Sequence, residues 1–186
     1  MALTESNMIS LGTTAPNFEL LDVVSGEKRS LKSLSGKKAT VVMFTCNHCP
    51  FVIHVNDELV RLGNDYKDKG VSFIAISSND VVNYPADSPE KMKELALELK
   101  YPFPYLYDET QEVASAFDAA CTPDFYVFDA DLSLTYRGRL DKSRPGNGEP
   151  CNGEDLRSAI EKTMNKEANI EKQYPSAGCN IKWIKS

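Results

Sequence analysis

The order of elements along the chain predicts an α/β protein with a central mixed β-sheet flanked by helices. Three observations carry this. Short apolar, β-branched runs alternate with stretches of helical period, which argues for parallel strands covered on both faces. Two later runs follow one another across a tight turn, so the sheet is mixed rather than wholly parallel. A C-x-x-C pair, Cys46 and Cys49, falls where the first buried run hands over to its helix. Open α/β sheets place their sites at that end of a strand.

The elements follow in order. "ATVVMF" (39–44) reads as a buried strand. From Pro50 onward Phe51, Val52, Val55, Leu59 and Leu62 recur at helical spacing, and "KDKG" supplies the stop at Gly70. "VSFIAIS" (71–77) is a second buried strand. "SPEKMKELALELK" (88–100) has Pro89 at an early helical position and Met92, Leu95 and Leu99 on one face. "PYLYDE" (104–109) is a short strand or edge segment, and "TQEVASAFDAA" (110–120) a short helix. "DFYVFDADLSLTYRGRL" (124–140) gives two strands turning around residues 129–131. The Gly/Pro/Asn-rich loop 144–155 leads into a last helix, "EDLRSAIEKTMNK" (154–166), with Leu156, Ile160 and Met164 inward. A tail, 168–186, holds the only tryptophan, Trp183, and has no clear period. With no repeat or low-complexity segment, 186 residues read as a single domain over 1–186.

A chain of this length buries roughly 70% of its unfolded surface, so its core needs neither a disulfide nor a metal. The formal net charge is −6, with both signs mixed along the chain, which argues against a nucleic-acid partner. No apolar stretch approaches the length of a membrane span, and the N-terminus lacks a basic segment followed by an apolar run. The expected setting is therefore cytoplasmic, with no membrane partner. There a C-x-x-C is more often catalytic or metal-binding than a permanent crosslink. Five cysteines is an odd number, so they cannot all be paired at once within one chain.

A cysteine reacts as its thiolate, which positive charge favours and an apolar core disfavours. The first turn of a helix offers unpaired N–H groups and the positive end of the helix dipole. Cys46 is expected just ahead of that turn and Cys49 inside it, with Cys46 the more exposed. This makes Cys46 the attacking thiol and Cys49 the one that resolves the mixed disulfide. A protonated His48 would stabilise the Cys46 thiolate, while a solvated loop histidine is the plain alternative. Pro50 fits a first-turn position without any chemistry, and His54 reads as a packed or surface helix residue. Zinc is a competing use of the same residues, through Cys46, His48 and Cys49 joined by Cys121, Cys151 or Cys179. No second C-x-x-C or H-x-x-H stands at finger spacing, so neither metal nor cofactor is called for. A Cys–His hydrolase is weaker still, because the only other histidine, His54, lies in the same helix as the pair.

Some seventy residues on, Thr122-Pro123 precedes a strand in "CTPDFYVFDAD" (121–131). A Thr-Pro of this kind, in a strand–helix–strand chain carrying C-x-x-C, resembles the thioredoxin fold. The opening "GTTAPNFELLDVVSGEKRSLKSLSGKKATVVMF" (12–44) is similar to the redoxin branch, the alkyl hydroperoxide reductase and thiol-specific antioxidant relatives. Together with "CNHCPF" and "PSAGCNIKW" (175–183), it resembles a peroxiredoxin-like group of that branch over essentially the whole chain.

The resemblance implies a thioredoxin-like fold with an N-terminal β-hairpin extension. It implies Cys46 as attacking thiol, Cys49 as resolver, and Pro123 as a cis-proline whose loop faces them, supported by Thr45, His48 and Thr122. The implied activity is thiol–disulfide exchange on protein or small-molecule disulfides, recharged by a thiol reductant. The alternatives are a thiol-dependent peroxidase acting on peroxides, and a redoxin scaffold that binds a metal or a partner. Three departures bear on this. The spacer is Asn47-His48 with no tryptophan before Cys46, no acid stands in "ATVVMF", and Thr45 lies one residue too far from Cys49-Pro50 for the peroxidase pattern. Arg137 or Arg139 is the candidate peroxide-binding arginine, though an exposed strand pair explains them equally well. Cys121 beside the Thr-Pro turn and Cys179 in the tail are possible extra thiols, whose plain alternatives are a small core residue and packing near Trp183. Cys151 reads as an incidental surface thiol.

Overall fold

A computed structural model describes residues 3–170 and 172–185. Seven strands form the main sheet: β2 (Glu19–Asp22), β3 (Lys28–Ser30), β4 (Ala39–Phe44), β5 (Val71–Ser77), β6 (Tyr105–Tyr107), β8 (Asp124–Asp129) and β9 (Leu134–Gly138). Their order is β3-β2-β6-β5-β4-β8-β9. Only β4, β5 and β6 run parallel, and every other pairing is antiparallel. The helices are α1 (Leu31–Leu34), α2 (Pro50–Tyr66), α3 (Pro89–Glu98), α4 (Glu112–Ala116) and α5 (Glu154–Met164). The mixed sheet and its N-terminal hairpin, β2–β3, are those the sequence leads one to expect.

All six residues of β4 are buried, so the strand shows no polar alternation, as befits a strand covered on both faces. Its side chains divide between two apolar layers. Val41 and Met43 join Val55, Leu59, Leu62, Phe73, Leu156 and Ile160 on one face. Val42 and Phe44 join Ile74, Ile76, Phe117, Tyr126 and Phe128 on the other. The first layer packs α2 and α5 against the sheet, and so fixes where the start of α2 emerges beyond the end of β4.

The C-terminal segment departs from expectation. Of the tail 168–186, residues 171 and 186 lie outside the described residues, but β10 (Ala177–Asn180) is a formed strand rather than a loose end. It pairs antiparallel with β1 (Leu3–Glu5) and with β7 (Cys121–Thr122) in a second, three-stranded sheet. Polar groups remote in sequence hold it. Lys182 donates its N–H to Asn79 Oδ1 at 2.8 Å, and its carbonyl accepts from Gln111 Nε2 at 2.8 Å and from the Asp80 N–H at 2.8 Å. Ser176 Oγ donates to the Pro123 carbonyl at 2.6 Å. Such anchors follow no period along the chain, which is why the segment reads as featureless.

Candidate active site

β4 ends at Phe44, and Thr45 continues it by donating its N–H to the Ile76 carbonyl at 2.8 Å. The chain then turns through Cys46–His48 to Cys49, the N-cap of α2, with Pro50 at the first helical position. Pro50 has no N–H to lose there and its fixed φ suits a helix start. Cys49 is therefore at the mouth of the helix and Cys46 in the turn before it, close to the expected arrangement. The expected difference in exposure is absent, since Cys46 is 1% and Cys49 0% exposed. The loop after β5 and the C-terminal segment lie over them. Cys46, Cys49, Val52 and Cys179 form one buried cluster with Phe51 against it.

The Thr122–Pro123 peptide is cis, and its loop meets both sulfurs. Cys46 Sγ lies 3.3 Å from Thr122 Oγ1, and Cys49 Sγ 3.3 Å from the Thr122 carbonyl. Cys46 and Cys49 are hydrogen-bonded to each other, and the pair divides its charge unevenly. The hydrogen bond to Cys49, then burial and the nearby Asp87, push the Cys46 thiol well up. Cys49 is pushed down to about 4 by the Cys46 hydrogen bond against the cost of burial, with help from the Cys179 thiol and the N–H groups of Val52 and Cys179. The two shifts run in the direction that favours the charged form on the sulfur at the helix mouth, where N–H donors converge.

His48 sits over the site but is not aimed solely at a thiol. Its Nδ1 is 2.7 Å from Asp87 Oδ2, outside good hydrogen-bond alignment, and its ring stacks on Tyr84 at 5.6 Å and 10°. Asp87 is the residue that sequence reasoning missed. It is fully buried in the turn Pro85–Asp87. It accepts the Asn47 N–H at 2.7 Å and Asn79 Nδ2 at 2.7 Å. An acid thus stands beside the thiols, supplied by a loop after β5 rather than by β4. The only cue in "NYPADSPE" was a turn composition, which says nothing of where the turn points.

Three ligand atoms suitable for a cation, from Cys46, His48 and Asp87, lie within 4.8 Å of one another. The set differs from the expected one, since Asp87 takes the place given to Cys49 and the other cysteines. Any cation held there would compete with a disulfide for Cys46.

The remaining candidates separate clearly. Thr45 is buried, and its hydroxyl makes no hydrogen bond among the described residues. Cys121 is fully buried in β7; its contacts are the carbonyls of Pro123 at 3.8 Å and Ser176 at 4.0 Å, and burial pushes its thiol up. Cys179 is in β10, opposite Thr122 in register, with its Sγ 2.7 Å from Cys49 Sγ. The half-buried Cys151 packs at the edge of the first apolar layer. His54 Nε2 shares a hydrogen bond with Ser143 Oγ at 3.0 Å.

Neither arginine is part of an exposed strand pair. Arg137 is fully buried, bound to both carboxylate oxygens of Asp124 (Nη2 to Oδ2 2.8 Å), with its guanidinium 3.9 Å over the Tyr126 ring. Arg139 is mostly buried and pairs with Asp155 at 2.6 Å. Both guanidinium groups are thus already committed to carboxylates.

The molecule closely matches the crystal structure of an uncharacterized conserved protein from Geobacillus kaustophilus, at 60% identity and a TM-score of 0.98 over 100% of this chain and 98% of that one. The thiol-disulfide oxidoreductase ResA of the same organism is 27% identical over 128 residues, which are 68% of this chain and 67% of the relative. The thioredoxin domain of a thiol-disulfide oxidoreductase from Bacteroides vulgatus superposes with a TM-score of 0.63 at 18% identity, over 82% of this chain and 99% of that one. At that identity the likeness speaks for the thioredoxin-like fold alone. The AhpC/TSA family model matches residues 11–137, more than half of the chain, and the protein belongs to the AhpC/TSA family.

Proposed function

We propose that this protein is a thiol–disulfide oxidoreductase in which Cys46 and Cys49 cycle between dithiol and disulfide. The observation that carries the reading is the meeting of both sulfurs with Thr122, one at its hydroxyl and one at its carbonyl, beside the cis Pro123. Cys46, in the turn before α2, attacks a disulfide of a protein or small molecule, and the Thr122 hydroxyl donates to its sulfur as charge develops. The proton it sheds leaves on the departing substrate thiol. Once the mixed disulfide forms, the Cys49 thiolate attacks Cys46 Sγ, the Cys46–substrate bond breaks, and the substrate's second sulfur leaves as a thiolate. The oxidised pair is recharged by a thiol reductant. Asp87 positions the turn through the Asn47 N–H and adds its charge beside Cys46, His48 packs against Asp87 and Tyr84, and Pro123 shapes the face against which the substrate lies. The compartment that goes with this reading is the cytoplasm, where a C-x-x-C serves turnover rather than crosslinking.

The peroxidase reading is supported by the thiolate at Cys49, next to Pro50. It is weakened by the two arginines, each held by a carboxylate. Reduction of a protein disulfide such as insulin, driven by a thiol reductant, tests the choice. Loss of turnover in Cys46→Ser is expected, and unchanged turnover overturns the proposal. Peroxide consumption retained in Cys46→Ser but lost in Cys49→Ser establishes the peroxidase instead.

A further inference from the structure

Cys49 has two sulfur neighbours rather than one. Cys46 reaches it from the turn before α2, and Cys179 reaches it from β10, with the two sulfurs 2.7 Å apart. The second approach is built into the fold. Cys179 faces Thr122 across the β7–β10 ladder, so the residue that touches Cys46 and Cys49 also sets the position of the third thiol. Gly178 makes the closeness possible. A Cβ there would fall inside contact distance of the Thr122 carbonyl oxygen and 3.3 Å from Pro123 Cδ, so a side chain would push β10 away. The anchors of Ser176 and Lys182 on either side of the strand hold it against the site. Cys179 is 4% exposed, which makes Cys49 its reaction partner rather than a thiol from solution.

We propose that Cys179 is a third redox thiol that exchanges with Cys46 for Cys49. The inference rests on the reading of Cys46 and Cys49 as a redox couple. Starting from the Cys46–Cys49 disulfide, the Cys179 thiolate attacks Cys49 Sγ. The Cys49–Cys179 bond forms, the Cys46–Cys49 bond breaks, and its electron pair leaves on Cys46 Sγ. Cys46 takes up the proton that Cys179 gave up. One disulfide replaces another, so no further oxidant or reductant enters. In the dithiol form burial, and next the hydrogen bond to Cys49, push Cys179 up to about 12; the hydrogen-bond contribution falls away once Cys49 is oxidised, which favours attack at that stage. The product is an oxidised protein in which Cys46 is again a thiol beside His48 and Asp87. Its C-terminal strand is then covalently fastened to the start of α2.

The test is disulfide mapping of the full chain. Wild type, Cys46→Ala and Cys179→Ala are oxidised with glutathione disulfide, quenched in acid, alkylated and digested. The expected wild-type result is both 46–49 and 49–179 linked peptides, with part of Cys46 alkylated. In Cys179→Ala, Cys46 alkylation falls to background because the only internal partner left for Cys49 is Cys46. In Cys46→Ala, the 49–179 link becomes the sole internal bridge. A wild type that forms only the 46–49 link, with Cys46 alkylation the same with and without Cys179, overturns this inference and leaves the redox couple standing. A wild type without any 46–49 link overturns the couple itself, and the exchange with it. The presence or absence of the 46–49 and 49–179 links in the wild-type digest decides between these even if a variant does not fold.

Discussion

Two carboxylates are buried at the same end of the sheet, and they are held in opposite ways. Asp124, at the start of β8, is closed in a two-oxygen pair with Arg137 that has no exposure on either side. Asp87 is as deeply buried but is held by neutral donors, Asn47 N–H and Asn79 Nδ2, and by a histidine that is 25% exposed. The Asp124 pair carries its own counter-charge, so it fixes the β8–β9 frame and leaves little field for its neighbours. The Asp87 group keeps a charge that Cys46 feels. One carboxylate is framework; the other tunes a thiol. The difference lies in the partners, not in depth of burial.

The sharpest way to break that contrast is to remove one charge from each site. Asp124→Asn leaves the Arg137 guanidinium buried without its counter-ion, and a stability loss of about 3–5 kcal/mol is expected in denaturant unfolding. The acidity of Cys46 and Cys49 in the protein that still folds should hardly move, since neither feels Asp124. Asp87→Asn keeps an acceptor for Asn47 and costs less, about 1–2 kcal/mol. It should lower the Cys46 value, because the repelling charge is gone, and speed the reaction of Cys46 with a disulfide at neutral pH. A larger stability loss at Asp87 than at Asp124, or unchanged Cys46 reactivity, would reverse the assignment.

Smaller changes sharpen it. Thr122→Val removes the hydroxyl beside Cys46 while keeping shape, at a cost of about 0.5–1 kcal/mol. It should raise the Cys46 value and slow disulfide reduction, since that hydroxyl favours the thiolate. His48→Gln should change stability by no more than about 0.5 kcal/mol in denaturant unfolding. Acidification offers a readout of Cys49 alone. The ultraviolet absorbance of its thiolate should be present at neutral pH, vanish as pH falls through about 4, and be missing in Cys49→Ser. Because the folded value is depressed, Cys49's contribution to the stability of the dithiol form is complete above the ordinary thiol range. It is lost as pH falls through the folded value.

Much of this was legible in the sequence because it obeys short-range rules. β4 and β5 have the bounds read from "ATVVMF" and "VSFIAIS", since a strand covered on both faces is an unbroken apolar run. Cys46 and Cys49 at the head of α2 followed from where that run ended. What was hidden came from contacts between distant segments. Asp87 reaches the thiols from a turn forty residues beyond Asn47. β10 is held by Asn79 and Gln111, whose side chains bond the backbone of Lys182. Arg137 read as exposed because its strand is near the sheet edge, and only its partner Asp124, on the neighbouring strand, makes burial possible. The even burial of Cys46 and Cys49 has the same origin, since the residues that cover them belong to loops and tail without a pattern.

The most direct measurement is a redox titration of the full chain in graded glutathione buffers, with alkylation of remaining thiols and peptide mapping. Cys49 is expected to lose its reactivity reversibly in a single two-electron transition, with Cys46 losing the share bridged to it, at a potential within roughly −270 to −120 mV, the range of C-x-x-C couples. Alkylation of both cysteines at every potential, or an oxidised form in which neither is bridged to the other, would contradict it.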